Sequence, residues 1–312
     1  MMGDISQTNT ATAEANAVKL SGNTLNVNIT PSERSEFGLL ARIIRQINPA
    51  YYERREAEAR SIKTESVMIS ARRIFEEFPN MTERRALMEA MGYRMTNEQA
   101  DNVVEVLEGA SERLASQGSA VTKGLLPESR DAIFEGSKTA YDETVRSMWE
   151  KLIAEEATEP GKYSKRTMSI LSIMDRNDAL LFKKLCSTSL QLVQQGSLRP
   201  CAVLNNMGTR GYNFGFLSLA DLDTLASLGL ISMTTWVDWK IVERGSCSIP
   251  VNGHTAVISN PTDVVKSFRL SSMRFLNEGE ALASLCDMGT YPRLKEALEE
   301  IVAAAGLKME WR

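Results

Sequence analysis

The sequence predicts a mainly α protein: a helical N-terminal half, then a smaller part that mixes helices and strands. Three observations predict it. Between Phe37 and Leu152 the apolar residues recur at three- and four-residue spacing, punctuated by capping residues and prolines. Beyond residue 200, Trp236-Val237-Asp238-Trp239-Lys240-Ile241 alternates with period two, and Asn252-Gly253 marks a hairpin turn. The chain has 312 residues, of which 43% are hydrophobic, enough for two domains with a real core.

Each element follows from its own signals. Residues 1–28 are rich in Thr, Asn, Ala and Ser and read as a disordered tail, because they bury too little to offset ordering. A helical domain is expected over 29–158. Thr30 caps its first helix with Pro31 at the first position, and Phe37, Leu40, Ile43, Ile44 and Ile47 form its stripe. A second helix runs from about Tyr51 to Phe78. Its first half, YYERREAEAR, is charged nearly all round and is expected to meet solvent or a second copy of the chain. Its second half carries Val67, Ala71, Ile74 and Phe78 toward the core. Helices over about 82–92 and 97–117 follow. The latter starts from a Thr96/Gln99 capping box and buries Ala100, Val103, Val104, Leu107, Ala110 and Leu114. One helix is expected from Glu128 to Ala157, with Tyr141, Val145, Met148 and Leu152 inward and Trp149 beside them.

The second domain is expected over 159–312. Ser164 caps a helix to about Met174, and Asp175 with Asp178 caps the next, to about Ser187. A short strand covers 200–205. Ser218 and Asp221 box a helix that Gly229 ends. Strands are expected near 236–241 and over Lys266–Phe275. Asn277 and Glu280 are expected to cap a helix to about Cys286. A last helix from Pro292 ends at Gly306 and leaves LKMEW as a short strand.

In this second part a helix ending L-x-x-L-G-L-I precedes a hairpin with a long loop, then R-L-S and E-G-x-x-L. The order resembles a winged helix, with Leu270, Ser271, Gly279 and Leu282 standing where many bacterial winged-helix proteins carry L-T-x-x-G-x-x-L. The resemblance implies a winged-helix-like domain. Its recognition helix would hold Asp221 and Asp223 and no Lys or Arg, which repels a phosphate backbone. A nucleic-acid contact would therefore fall to the wing, through Lys240, Arg244, Lys266 and Arg269.

A wider resemblance rests on W-x-x-L-[IL]-A-x-E, then P-G-x-[FY]-S-x-R-T, then D-A-x-L-F. The chain supplies Trp149, Leu152, Ile153, Ala154, Glu156, Pro160, Gly161, Tyr163, Ser164, Arg166, Thr167, Asp178, Ala179, Leu181 and Phe182. This resembles one bacterial family of uncharacterised proteins and is similar to the abortive-infection alpha proteins linked to phage defence. It implies a defence setting and no particular reaction.

Composition narrows the chemistry. A net charge of −4 does not suit a strongly basic nucleic-acid binder. The four cysteines are widely spaced, without a C-x-x-C pair, and read as reduced thiols in a cytoplasm. The longest uncharged run considered, 224–237, is too short and polar to span a bilayer, so no membrane contact is expected. His254, the one histidine, sits at the hairpin tip, away from any triad geometry, and a metal site or cofactor is not expected. Asp238-x-Lys240 on a strand matches the acid-x-Lys of metal-dependent nucleases, and alternating residues on a half-buried strand explain it as well.

The sharpest chemical question lies in WEKLIAEEATEPGKYSKRTMSIL. Lys162, Ser164, Lys165 and Arg166 stand at the start of a helix, where the dipole favours negative charge. They either form an anion site or answer Glu155, Glu156 and Glu159, and three carboxylates so near favour internal pairing. The expected function is a non-catalytic interaction or regulatory protein with a protein partner or a homo-oligomer. A winged-helix nucleic-acid binder is the alternative, and a metal-dependent nuclease the second.

Overall fold

The computed structural model describes Ile43 and residues 57–118, 123–194, 197–205, 217–251, 253–286, 289 and 292–312. The expected tail, YYERRE and most of the first stripe lie outside these residues, although Ile43 is helical and buried. Helix α1 (Ala57–Glu77) packs along α2 (Glu83–Ala90). Ala71 is fully buried, and Val67 and Ile74 lie against the core. Phe78 does not continue that stripe. It is 50% exposed, because the helix stops one residue earlier, ahead of Pro79. Thr82 caps α2, and the Thr96/Gln99 capping box starts α3 (Asn97–Ser116) as its sequence requires. All six residues assigned to the inner face of α3 are buried.

The helix expected over 128–157 is two helices, α4 (Pro127–Ser137) and α5 (Glu143–Thr158). Asp142 starts the second by accepting from the N–H groups of Thr144 (2.8 Å) and Val145 (3.4 Å). The Asn102 amide donates to the carbonyl of Lys138 (3.0 Å) and holds the break open. Tyr141 is therefore in the linker and 52% exposed, not in the stripe. The break brings α4 back across α5. The indole of Trp149 lies so close to Gly136 that a Cβ there would come within 2.6 Å of the ring. Trp149, Leu152, Ile153 and Ala154 are all 0% exposed.

Helices α6 (Lys165–Ile173) and α7 (Arg176–Ser187) follow, capped by Ser164 and by an Asp175/Asp178 box. Next come β1 (Ser189–Gln194), β2 (Ser197–Asn205), α8 (Leu219–Ser227), β3 (Ile231–Ile241), β4 (Ser246–Val251), β5 (His254–Ser259), β6 (Lys266–Phe275), α9 (Asn277–Leu285), α10 (Pro292–Ala304) and β7 (Lys308–Trp311). One antiparallel sheet runs β1-β2-β6-β3 and a second runs β4-β5-β7. The fold is mainly α with a small β part. The β4–β5 hairpin is an insertion between the paired strands β3 and β6. Buried Asn260 seals its base: its amide donates to the carbonyls of Val242 (3.1 Å) and Val264 (2.8 Å).

One apolar cluster runs from Ile43 through the helices to Phe275 and Leu285, so it includes residues on both sides of 158/159. A second lies among β4, β5, β6 and α10, around Ile249, Ile258, Phe268, Leu298 and Ile301. Helix α9 belongs to the first. It is not capped by Asn277: its N-cap is Leu276, without a side-chain cap, and the Leu276 N–H donates to the carbonyl of Leu230 (2.9 Å). Gly279 packs on that same carbonyl, where no Cβ has room.

Trp149→Ala is expected to cost about 3–5 kcal/mol in urea denaturation, because the cavity opens inside the larger cluster. A loss under about 1 kcal/mol would place the indole on a surface, contrary to its burial.

Candidate functional site

The loop between α5 and α6 is built around a buried carboxylate. Glu156 lies in the last turn of α5 and is 0% exposed. Its Oε1 accepts from the Ser129 hydroxyl (2.8 Å) and from the Gly161 N–H (2.7 Å), and its Oε2 from the Tyr163 N–H (3.1 Å). The sequence explains how the loop reaches it. Pro160 and Gly161 reverse the chain, Gly161 taking a φ of 85° that an L side chain resists. The reversal aims two backbone donors back at the helix they have just left. The carbonyl of Ala157, at the end of α5, accepts from the N–H groups of Lys123 (2.8 Å) and Gly124 (3.1 Å).

The neighbouring carboxylate takes the charge. Glu155 pairs with Lys162 (2.8 Å) and accepts from the Tyr163 hydroxyl (2.6 Å). Burial would raise its carboxyl, but the bonds from Lys162 and Tyr163 outweigh it and hold the group below the usual carboxylate range. Burial and the bond to Glu155 push the Tyr163 phenol up, so it stays a neutral donor. The cluster reaches α9. The Ser284 hydroxyl lies 3.4 Å from the Tyr163 oxygen, and Lys151 donates to the Ser284 carbonyl (2.6 Å).

The residues expected to form an anion site are thus brought to one loop but given separate tasks. Lys162 answers Glu155, with Glu159 at 3.9 Å. Ser164 caps α6, its hydroxyl accepting from the Thr167 N–H (3.0 Å). Arg166 approaches Glu278 in the first turn of α9 (3.6 Å), with its side chain 70% exposed. Lys165 is exposed and makes no ion pair among the described residues. Glu156 pairs with none of these cations; it serves the backbone. Sequence reasoning missed Ser129, Ser284 and Glu278, each distant along the chain. Glu156 itself was visible as the last residue of the W-x-x-L-[IL]-A-x-E pattern.

The other candidates lie on the sheets. Lys240 is exposed on β3. Arg244 forms a forked ion pair with Asp263 at the base of the insertion. Lys266 donates to the carbonyl of Gly306 (3.1 Å), and Arg269 stands opposite Asp238 in the β3–β6 register. The side chain of Asp238 lies outside the described set. Asp221 is on α8, accepting from the N–H of Ser218 (2.8 Å), and Asp223 is exposed on the same helix. Among the described residues no three His, Cys, Asp or Glu side chains gather as a metal site would need. His254 is exposed at the start of β5. Among them also, no helix is long and apolar enough to cross a membrane.

Fold and site together define a mainly α protein with two small antiparallel sheets, whose most developed polar cluster fastens the turn between two helices. The chain belongs to the family described as a protein of unknown function, DUF2806, whose model matches residues 89–298. No curated protein and no solved structure matches it. The matched span holds the whole Glu156 cluster and both strands that flank the insertion.

Glu156→Ala strands the N–H of buried Tyr163 and the buried Ser129 hydroxyl, each worth about 1–3 kcal/mol when left unbonded, while the exposed Gly161 N–H turns to water, so a loss of a few kcal/mol is expected. Lys165→Ala with Arg166→Ala should cost under about 1 kcal/mol, since both side chains face water. Chemical denaturation of the two variants checks this. An equal loss would return the weight to the cations.

Proposed function

We propose that the protein is a non-catalytic interaction or regulatory module that works through a protein partner. The reading rests on exposed apolar side chains at the base of the β4–β5 insertion. Val242, Val264 and Val265 are 65%, 66% and 52% exposed where the chain leaves β3 and rejoins β6. Asn260 bonds the carbonyls of both Val242 and Val264, so the valines are presented together from a fixed loop. Exposed apolar groups held this way favour a protein contact. The polar cluster around Glu156, by contrast, has its donors and acceptors directed at one another and serves the fold.

Helices α6, α7 and α8, the last two separated by β1 and β2, followed by the β3–β6 pair, support a winged-helix-like reading of the second part, with β6 lying between β2 and β3. The use of such a wing for nucleic acid has less support. Arg244 is tied to Asp263, Lys266 to Gly306, and α8 carries carboxylates. A nuclease built on Asp238 and Lys240 has only its sequence pattern. The resemblance of the W-x-x-L-[IL]-A-x-E and P-G-x-[FY]-S-x-R-T patterns to abortive-infection alpha proteins, read from the sequence alone, suggests phage defence as the setting. A cytoplasmic location suits the free thiols of Cys186, Cys247 and Cys286.

The test replaces Val242, Val264 and Val265 together by Ser and follows cells challenged with phage. The variant should melt as the wild type does and lose protection. Retention of full protection by a folded variant would refute the role of these valines. Binding of duplex DNA by the wild type, weakening steeply as salt rises, would move the assignment to nucleic acid.

A further inference from the structure

The sheet formed by β1, β2, β6 and β3 ends at β3. Its opposite edge, β1, lies beside β4 of the second sheet. Among the described residues no strand pairs with the outer side of β3, which runs for 11 residues. In an antiparallel pair every second residue turns its N–H and C=O groups away from its neighbour, so this edge carries a row of backbone groups that can accept another strand. The edge runs directly into Val242, which is 65% exposed.

The residues of β3 limit what that other strand can be. Alternate positions read Trp236, Asp238, Lys240 and Val242: apolar, acidic, basic, apolar. The positions between them, Val237, Trp239 and Ile241, are apolar throughout. This order is complementary to itself. When two copies are paired antiparallel about Trp239, Asp238 of each stands opposite Lys240 of the other, and Trp236 opposite Val242. At the positions between, Val237 meets Ile241, and Trp239 meets its own counterpart at the axis. A contact between identical patches needs this property, because each residue must suit the one it faces on the second copy. Centring the pair on Asp238 or on Lys240 instead sets like charges face to face, so the register is fixed as well.

We propose that the protein pairs with a second copy of itself through an antiparallel β3–β3 junction centred on Trp239, which makes one sheet continuous across both copies. The proposal rests on the reading of the adjoining valines as a protein contact, and it names the partner. Trp239 stacks on Phe268 at 5.9 Å, so the centre of the junction is set before pairing. Lys240 is exposed, and Asp238 would stand between Arg269 of its own sheet and Lys240 of the second copy. The acid-x-Lys pattern of β3 thereby serves recognition between strands.

The test is sedimentation velocity on the full-length protein, with thermal melting to confirm that each variant is folded. The wild type should sediment as two copies. Asp238→Lys and Lys240→Asp, each alone, set like charges opposite one another twice per junction and should weaken association about tenfold or more. Mixed in equal amounts, the two variants should associate again, because every facing pair is then of opposite charge. Lys240→Asp stands opposite Ser267 in its own sheet and carries the test if Asp238→Lys loses its fold. A wild type that remains a single copy, a folded single variant that associates as the wild type does, or a mixture of folded variants that stays apart overturns the proposal. A single-copy wild type beside a valine variant without protection overturns only the second copy. A confirmed β3–β3 pair beside a valine variant with full protection overturns only the earlier reading.

Discussion

A carboxylate with no access to water must find its hydrogen bonds inside the protein, or its burial costs several kcal/mol. Glu156 finds three, from Ser129 on α4 and from the Gly161 and Tyr163 N–H groups of the following loop. That requirement fixes much around it. The loop must turn within a few residues, which needs the positive φ of Gly161. Helix α4 must lie close enough for a serine hydroxyl to reach the end of α5. The same approach of α4 and α5 seats the Trp149 ring on Gly136. The apolar seam and the polar bond thus depend on one helix crossing.

The loop also ties the helices to the sheets. Tyr163 and Lys151 reach Ser284 at the end of α9, and Arg166 approaches Glu278 at its start. Helix α9 leans on the carbonyl that ends the α8–β3 turn, a contact close enough to require glycine. A small number of short contacts therefore connects the Glu156 loop with the start of β3. The β4–β5 insertion and the valines at its base stand at the far end of that strand, where Asn260 bonds the Val242 and Val264 carbonyls.

What the sequence made legible was local. Capping boxes at Thr96, Asp175 and Ser218 act over three residues, and each lies where it was expected. The strand over Lys266–Phe275 lies where it was expected, and Val251 pairs with His254 as the expected hairpin requires. The break between α4 and α5 was hidden because Tyr141 falls in phase with Val145 and Met148; only the distant Asn102 amide reveals that the stripe is interrupted. Strand β1 was missed because Ser189–Gln194 is short and follows a helix directly. At the loop, charge arithmetic set the cations against Glu155, Glu156 and Glu159, and among the described residues only Lys162 pairs with any of them, while Arg166 turns to Glu278. It could not find Glu156's partners, since two are backbone groups and the third is a serine on another helix. Nor could it find Glu278, far along the chain from Arg166.

The Glu156 carboxylate holds the loop from within, and amide hydrogen exchange reads this directly. Gly161 is exposed at the surface, so its N–H would exchange freely if nothing held it. In the wild type the Gly161 and Tyr163 amides should exchange as slowly as those of the α5 interior, and Glu156→Gln should speed both while leaving the α3 amides protected. Fast exchange at Gly161 and Tyr163 in the wild type, at the rate of an open loop, would contradict the account.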